Sequence, residues 1–346
     1  MDKRSYLKKE ICGFVELCDK RGYLKEDSIG WSKKPLHRSN LLKDSFRSKK
    51  WDYWSVFNDE YYVTVAITDM GYIRTAFLYI LDKSSNRLYE TSVNAINKAS
   101  CVLSDTVYGD CCFTGKNVNI KVKRFENSII INAGCNQFMF RDSRKELSLE
   151  FTIDVSEDQQ SLNVVIPWDK SRFHFTSKQN CLPAEGWIRA GEETIKFEKK
   201  DTLASLDYGR GKWPYKSFWN WASCSSFHNG DRIGFNIGGG WTDGTGSNEN
   251  AFYINNKLYK LDVDAEFRYD KQNKLKAWTI ASVDSDSFYA EFEPVYHRLA
   301  KNNYVIIKSE LHQIFGSFSG YFTADGKNKY AFTNLFGCVE EHDARW

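Results

Sequence analysis

The segment from residue 207 to residue 250 concentrates the side chains of this chain that could do chemistry. It begins D-Y-G-R-G-K-W-P-Y, continues through W-N-W-A, and ends in I-G-G-G-W-T-D-G-T-G-S-N-E-N. Tryptophans alternate in it with carboxylates, amides and an arginine, and glycines allow tight turns between them. A core built for stability alone would use Leu, Ile and Val, because every buried polar group needs a hydrogen-bond partner. The segment therefore predicts a lined pocket.

Three carboxylates in aromatic or glycine-rich surroundings are candidates for catalysis: Asp207, Glu249 and Glu293. A carboxyl group pressed against apolar rings favours its neutral form and can act as a general acid near neutral pH. Such an acid could protonate an alkene or a glycosidic oxygen, and indole faces could stabilise a cationic intermediate. The side chains expected to line the pocket and bind the ligand carry a ring, an amide or a guanidinium: Arg210, Trp213, Tyr215, Trp219, Trp221, Asn236, Trp241 and Asn248.

Each carboxylate also has a structural interpretation. Asp207 and Arg210 are three residues apart, so a tight turn could join them in an ion pair that has no catalytic role. Glu249 could cap the glycine-rich loop that precedes it. Glu293, one residue before Pro294, could lie on the rim of a bend.

His312 is the histidine that we select as a catalytic candidate, with a core histidine holding one hydrogen bond as the alternative. No second histidine lies two or four residues from it, and the nine cysteines form no C-x-x-C pair. We therefore expect no metal, no disulfide framework and no cofactor. The glycines of residues 238–246 lack a following G-K-S or G-K-T, and G-x-S-x-G is absent, so neither a phosphate loop nor an α/β-hydrolase is expected.

The hydrophobic period after residue 50 is two, which indicates strands. Alternation is clearest over residues 147–155 and recurs over residues 63–67 and 118–122. Asp325-Gly326 is the strongest two-residue turn signal. Only residues 7–18 approach a helical period, with Gly22 as a possible stop. We therefore predict an all-β chain with a short helical N-terminal segment.

Length and composition complete the expected organisation. The 346 residues exceed one ordinary core, so we expect an N-terminal segment over residues 1–50, a first β domain over 51–180, and a second over 181–346 that carries the pocket. A net charge of +3, with no basic face, argues against nucleic acid. We find neither a signal peptide nor a membrane segment, so a soluble cytoplasmic protein that binds a small molecule is expected, with its oligomeric state open.

Long motifs across the chain resemble those of a family of microbial proteins known only as a domain of unknown function. They include D-Y-G-R-G-K-W-P-Y, W-N-W-A, F-N-I-G-G-G-W-T, N-E-N-A-F, H-Q-I-F-G-S-F-S-G-Y and the terminal E-H-D-A-R-W. More distantly, the chain is similar to double-barrel, lipocalin-type proteins that include carotenoid hydratases and some natural-product cyclases. This resemblance implies two lipocalin-like antiparallel β-barrels in tandem, and it assigns no reaction.

Three functional hypotheses follow. In the first, an enzyme uses the carboxylates of a Trp-lined barrel pocket to hydrate, isomerise or cyclise a small, largely apolar, lipid-like or prenyl-like molecule. In the second, the protein is a carrier that holds such a molecule without reaction. In the third, the same tryptophans and carboxylates act on a carbohydrate.

Overall fold

The structure is a computed structural model that describes residues 6–42, 46–283, 285–304, 307–324 and 328–345. Within these residues the chain is built of strands and two short 3-10 turns, Glu26–Ser28 and Lys98–Ser100. The first sixteen strands are β1 (Val15–Glu16), β2 (Trp31–Ser32), β3 (His37–Arg38), β4 (Ser48–Phe57), β5 (Tyr61–Asp69), β6 (Arg74–Asp82), β7 (Arg87–Ala95), β8 (Cys101–Val102), β9 (Cys111–Thr114), β10 (Val118–Arg124), β11 (Ser128–Phe140), β12 (Ser143–Asp154), β13 (Leu162–Pro167), β14 (Phe173–Ala190), β15 (Glu193–Phe197) and β16 (Leu203–Lys212). The remaining nine are β17 (Lys216–His228), β18 (Asp231–Gly239), β19 (Ala251–Ile254), β20 (Lys257–Lys260), β21 (Ala265–Arg268), β22 (Trp278–Ser282), β23 (Phe288–Tyr304), β24 (Ile307–Ala324) and β25 (Asn328–Arg345).

The strands form two large antiparallel sheets. The first sheet follows the order β7-β6-β5-β4-β16-β14-β12-β11-β10-β9-β8, with β13 and β15 also paired to β14 and with β2 paired to β13. The second sheet follows the order β20-β19-β18-β17-β25-β24-β23-β22-β21. Each curls into a half-barrel, so the prediction of an all-β chain with two tandem lipocalin-like sheets is confirmed.

Each sheet closes on its own filled core. The first core is mixed, with aliphatic residues around rings such as Trp54, Phe138 and Phe151. The second is dominated by phenylalanine, and its rings pack tightly: Phe252 and Phe322 stack with their centroids 3.5 Å apart. The alternating residues 147–153 of β12 point into the first core, as the period predicted.

The predicted N-terminal helix is wrong. The described part of that segment, from residue 6 to residue 42, contains extended pairs and one 3-10 turn. Val15 pairs with His37, and Leu17 donates its backbone N–H to Arg38, so these residues find partners in a neighbouring extended segment. Leu17 and Cys18 are buried against the first core. Tertiary pairing therefore overrides a weak helical period. The predicted turn at Asp325-Gly326 lies outside the described residues.

The chain passes from the first sheet to the second at residues 213–215, between β16 and β17. The predicted domain boundary at residues 181–186 falls inside β14. That strand has a register shift between Gln179 and Leu182, and Cys181 there has a φ of 60°. The break in pattern at this point therefore marks a β-bulge within the first sheet.

The predicted tight turn between Asp207 and Arg210 does not form. Both residues lie on β16, and residues three apart on a strand point to opposite faces. Arg210 points into the first core, where its guanidinium contacts Asp52 Oδ1 at 2.7 Å and donates to the carbonyl oxygen of Trp51 at 2.6 Å. Both charged side chains are buried. Arg210 therefore stabilises the first core and is separated from Asp207 by the sheet.

Replacing Arg210 with methionine is expected to destabilise the fold. Asp52 would lose its main partner in a buried position, and breaking a buried pair costs about 3–5 kcal/mol. The free energy of unfolding, measured in urea, tests this. Arg87→Met is the control, because its pair with Asp142 is exposed and worth at most about 1 kcal/mol. Equal losses in the two variants would contradict the role given to Arg210.

Candidate functional site

Two rows of side chains face each other between the sheets. In the first sheet, β14, β16 and β4 place Lys178, Asp207 and Tyr53 side by side, since these residues are direct partners in the strand register. In the second sheet, β25 and β24 place Glu340 beside Gln313 in the same way. Gln313 Nε2 donates to Tyr53 Oη at 3.0 Å across the gap. The candidate site therefore lies between the two sheets, outside both cores.

Lys178 is the buried cation of this site. Its ammonium lies 2.8 Å from Asp207 Oδ2 and 2.9 Å from Glu249 Oε2, and its nitrogen lies 5.2 Å from the centroid of the Trp221 ring. Burial alone would lower the pKa of Lys178, but the attraction of Asp207 and Glu249 outweighs it and raises that pKa. The lysine is therefore charged at neutral pH.

Glu249 reaches the site from the loop that precedes β19. Its Oε1 accepts from Trp241 Nε1 at 2.9 Å. Burial raises the pKa of Glu249, and Lys178 opposes that shift. Gly238 lies directly beneath the carboxyl group, where an added Cβ would stand 2.1 Å from Glu249 Oε1. Only glycine therefore allows this carboxyl group its position.

Asp207 is the more open carboxylate of the pair bound to Lys178. Its side chain is 18% exposed, against 2% for Glu249. Besides Lys178, it accepts from Trp51 Nε1 at 3.1 Å and from the hydroxyl of Thr176 at 3.4 Å. A fixed carboxylate with a solvent-facing edge can exchange protons with a bound molecule.

Glu340 is a buried carboxyl group on the opposite row. Its Oε1 accepts from Gln313 Nε2 at 2.9 Å. Burial raises the pKa of Glu340 to about 7, the negative charge of Asp207 adds to this, and a hydrogen bond from Trp219 opposes it. This carboxyl group therefore carries a proton in a large share of molecules at neutral pH.

The orientation of Gln313 determines where that proton lies. Tyr79 donates its hydroxyl to Gln313 Oε1 at 2.9 Å, so the amide must turn Nε2 towards Glu340 and Tyr53. Glu340 Oε1 is thus an acceptor. In the neutral acid the proton is then on Oε2, and Trp219 also donates to this carboxyl group.

The glycines that alternate with larger residues in D-Y-G-R-G are required by the rings that pack against them. Asp207, Gly209 and Gly211 share the face of β16 that looks towards the second sheet. A Cβ at Gly209 would lie 2.2 Å from the Trp51 ring, and one at Gly211 would lie 2.6 Å from His174 Nδ1. The glycines therefore let these two rings lie flat against the strand beside the carboxylate.

An indole cluster closes one side of the site. Trp51, Trp213 and Trp241 contact the buried His174, and Trp168 and Trp219 pack against Trp213. The Trp213 and Trp241 rings stack with centroids 5.0 Å apart, and Trp213 Nε1 donates to His174 Nδ1 at 3.0 Å. Burial holds the pKa of His174 well below its usual value, so the ring is neutral. The other side is closed by a second apolar cluster that includes Phe57, Tyr62, Tyr79, Phe315 and Trp221.

Several predicted residues meet at this site. The structure brings together Asp207, Glu249, Trp213, Trp219, Trp221, Asn236 and Trp241. Asn236 acts as a brace, because it accepts from Trp221 Nε1 at 2.7 Å and donates to the backbone oxygen of Glu249 at 2.7 Å. The predicted pocket residues are therefore shared between the sheets, with Asp207 on the first.

Other predicted residues lie elsewhere. Glu293 is exposed on β23, and Tyr215 is 52% exposed on the connection between the sheets. Asn248 is buried within its own loop, where it donates to the backbone oxygen of Val263. Arg210 belongs to the first core. None of these four side chains therefore contacts the carboxyl groups of Asp207 and Glu249, which pair with Lys178.

His312 lies on the other face of the second sheet from Gln313. Its Nδ1 is 2.8 Å from His297 Nε2, and its Nε2 is 3.5 Å from Glu310 Oε1. The pair forms part of a polar layer at one end of the second core, together with Glu341 and Lys274. Among the described residues, no group of three or more His, Cys, Asp or Glu side chains could hold a metal ion.

Sequence analysis missed the central residues Lys178, Glu340, Tyr53 and Gln313. A signal existed for two of them. Alternation in C-V-E-E-H places Glu340 on one face with Cys338, and alternation in H-F-T-S-K places Lys178 on one face with His174. Charged residues that share one face of a strand with buried residues indicate a polar site.

The comparison with protein families gives one match. The family described as Domain of unknown function (DUF2804) matches residues 8–346, so the chain belongs to that family. No curated protein matches the sequence. None of the helices in the described part of the chain is long and apolar enough to cross a membrane.

Two solved structures are similar to this one. The first is kievitone hydratase from Nectria haematococca, with a TM-score of 0.47 and 9% identity over 89% of this chain and 94% of that one. The second is a putative AttH from Nitrosomonas europaea, with a TM-score of 0.44 and 12% identity over 87% of this chain and 93% of that one.

Replacing Gly238 with alanine is expected to displace Glu249 and to lower the free energy of unfolding by about 1–3 kcal/mol, because the new methyl group overlaps the carboxyl group. Urea unfolding measures the loss. Gly134→Ala is the matched control on β11, since the nearest atom to its Cβ would be 3.7 Å away. That control should change stability by less than about 1 kcal/mol. A Gly238 variant as stable as the control would refute the tight fit.

Replacing Glu340 with glutamine should change how stability depends on pH. The pKa of Glu340 is raised from an ordinary 4.5 to about 7, so the folded state holds this proton more tightly than the unfolded state. Wild-type stability should therefore fall relative to Glu340→Gln as pH rises from about 4.5 to about 7, by on the order of 3 kcal/mol. Outside that window the difference should be constant.

Urea unfolding of both proteins across this pH range gives the measurement. The same comparison in an Asp207→Asn background supplies a control, because removing that negative charge should move the upper limit of the window to lower pH. A difference between the two proteins that does not vary with pH would contradict the raised pKa.

Proposed function

We propose that this member of the DUF2804 family is an enzyme that binds a small, largely apolar molecule between its two sheets and protonates it from Glu340. Hydration, isomerisation and cyclisation all begin with such a proton transfer. The observation that carries the proposal is the pairing of a protonatable buried acid, Glu340, with an ion-paired carboxylate, Asp207, on the facing sheet. A buried acid that faces an ion-paired carboxylate can divide the roles of general acid and general base with it.

Glu340 is suited to the role of general acid. Its pKa of about 7 is near the operating pH, which is the optimum for transferring a proton. Gln313 donates to Oε1 and Trp219 donates to the same carboxyl group, so two side chains fix the orientation of the acid. Gln313 is a positioning residue in this scheme, because it acts through Glu340.

Asp207 is suited to receive a proton. Lys178 and the Trp51 indole fix its carboxylate from two directions, and its exposed edge remains accessible. After Glu340 protonates one end of a substrate, Asp207 can take a proton from the other end or from an attacking water. Isomerisation uses the first route and hydration uses the second.

The walls favour an apolar substrate and a positively charged intermediate. Indole rings close one side, and the phenylalanine and tyrosine rings of the second apolar cluster close the other. The Trp221 face already lies beside a cation, since the Lys178 nitrogen is 5.2 Å from its centroid. A carbocation over such a face is stabilised in the same way.

The alternatives fit the site less well. The raised pKa of the buried Glu340 carboxyl group would serve no purpose in a protein that only carries its ligand. A carbohydrate site offers open aromatic platforms, whereas Trp213, Trp221 and Trp241 are only 5%, 7% and 8% exposed. Their burial favours a molecule that gives up its contact with water.

The test begins with native mass spectrometry of the protein purified from its own host, which identifies the co-purifying small molecule. Turnover of that molecule is then compared in Glu340→Gln, Asp207→Asn and Glu293→Gln. We expect the first two to lose about 10²–10⁴-fold in kcat while still binding the molecule. Glu293→Gln is the matched control, because that carboxylate is exposed and distant from Lys178. Unchanged turnover in Glu340→Gln would contradict the proposal.

A further inference from the structure

A cavity lies between the two sheets, and we propose that Lys83 at its wall captures small aldehydes as an imine. The cavity shares Phe57, Leu203 and Phe336 with the second apolar cluster but is lined by none of the charged residues of the Glu340 site, and the inference does not rest on the function proposed above. Its ligand is a carbonyl compound with one aromatic or short alkyl group. The inference depends on the shape of the cavity, the position of the amine and the contrast with two other buried lysines.

The cavity has a volume of about 210 Å³ and is built by both sheets. Its apolar wall is Phe57 and Leu203 from the first sheet and Phe227 and Phe336 from the second. Binding cavities for drug-sized ligands span about 300–1,000 Å³, so this one suits a smaller molecule, of about one ring.

Lys83 directly follows β6 and extends its amine to the wall of this cavity. Its Nζ donates to the backbone oxygen of Asn58 at 2.5 Å and lies 3.9 Å from the centroid of the Phe336 ring. The amine is thus held in place by one carbonyl oxygen and one aromatic face. A carbonyl compound seated on the phenylalanines would present its carbon to this nitrogen.

Burial increases the share of the neutral amine, which is the nucleophilic form, while the Asn58 oxygen and the Phe336 face both favour the ammonium. Burial lowers the pKa of Lys83 to about 8, and the negative charge of Asp59 opposes this. An ordinary lysine has a pKa near 10.4, so at pH 7 the neutral share of Lys83 is roughly a hundredfold larger. Desolvated lysines of this kind are the ones that form imines with carbonyl substrates.

The reaction balances without any further reagent. The amine nitrogen bonds to the carbonyl carbon, and the carbonyl oxygen leaves as water with the two hydrogens of the amine. Nothing is oxidised or reduced. The hydroxyl groups of Ser225 and Ser226, which also line the cavity, can relay these hydrogens.

Two other lysines separate the effect of the cavity from that of the pKa. Burial also lowers the pKa of Lys49 and of Lys260 to about 8. Lys49 donates to the backbone oxygen of Met70, and Lys260 to that of Leu261. Neither lysine lines the Lys83 cavity. Lys200 does line it, but its side chain is 76% exposed and its pKa is raised by Glu198. Only Lys83 combines the cavity with a lowered pKa among these four.

The test uses benzaldehyde and sodium cyanoborohydride, which reduces an imine to a stable secondary amine. Peptide mass spectrometry then measures the rate of labelling at each lysine of the full chain at pH 7. We expect Lys83 to be labelled at least tenfold faster than Lys200, Lys49 and Lys260, and the rate to increase with pH up to about 8.

Two variants complete the design. Lys83→Arg keeps the positive charge and should abolish the fast label. Ser226→Phe fills the cavity from its half-buried rim and leaves the amine in place, so it should slow labelling of Lys83 by at least tenfold while circular dichroism stays unchanged. Labelling of Lys83 no faster than that of Lys49 or Lys200, or a rate that Ser226→Phe leaves unchanged, would overturn the proposal.

Discussion

The ammonium group of Lys178 is the charge on which the arrangement between the sheets depends. A lone buried ammonium costs several kcal/mol to remove from water, and this one is balanced by Asp207 on the first sheet and Glu249 on a loop of the second sheet. The two carboxylates approach each other only because the lysine lies between them. The same interaction therefore aligns the sheets and separates the charges of the site. The negative field of Asp207 then contributes to the proton affinity of Glu340 across the gap.

Strand β16 shows how one segment serves stability and chemistry together. Its even-numbered residues Tyr208 and Arg210 hold the first core, and the odd-numbered Asp207, Gly209 and Gly211 shape the site. A strand can do this because its successive side chains point to opposite faces. The D-Y-G-R-G motif thus combines two alternating patterns. One places Tyr208 and Arg210 in the first core, and the other leaves space beside Gly209 and Gly211 for aromatic rings.

The all-β architecture followed from the period of two, because that period is a local property of the chain. Asp207, Glu249 and the tryptophans could be grouped from the sequence for a similar reason, since they are close together in it. Glu340 and Lys178 could not be placed with them, because their proximity depends on pairing between strands far apart in the chain. Register of that kind is set by tertiary packing. Arg210 shows the opposite failure: proximity in sequence suggested a contact that alternation along one strand forbids.

The prediction of an N-terminal helix was wrong for a related reason. Its apolar spacing resembles a helix, but Leu17 and Cys18 gain burial in the first core only if the chain is extended beside β3. Burial of apolar side chains outweighs a helical preference of a few tenths of a kcal/mol per residue. A strong local hydrophobic pattern therefore determines the secondary structure of a segment. Where the pattern is weak, tertiary packing determines it.

The connection between the sheets is only three residues long, and one of them, Trp213, belongs to the indole cluster. The single covalent crossing therefore passes along the wall of the site. A change in the angle between the two half-barrels would alter the gap between Glu340 and Asp207, because these residues lie on facing sheets. Under the proposed function, substrate entry and proton transfer would both depend on the angle between the two halves.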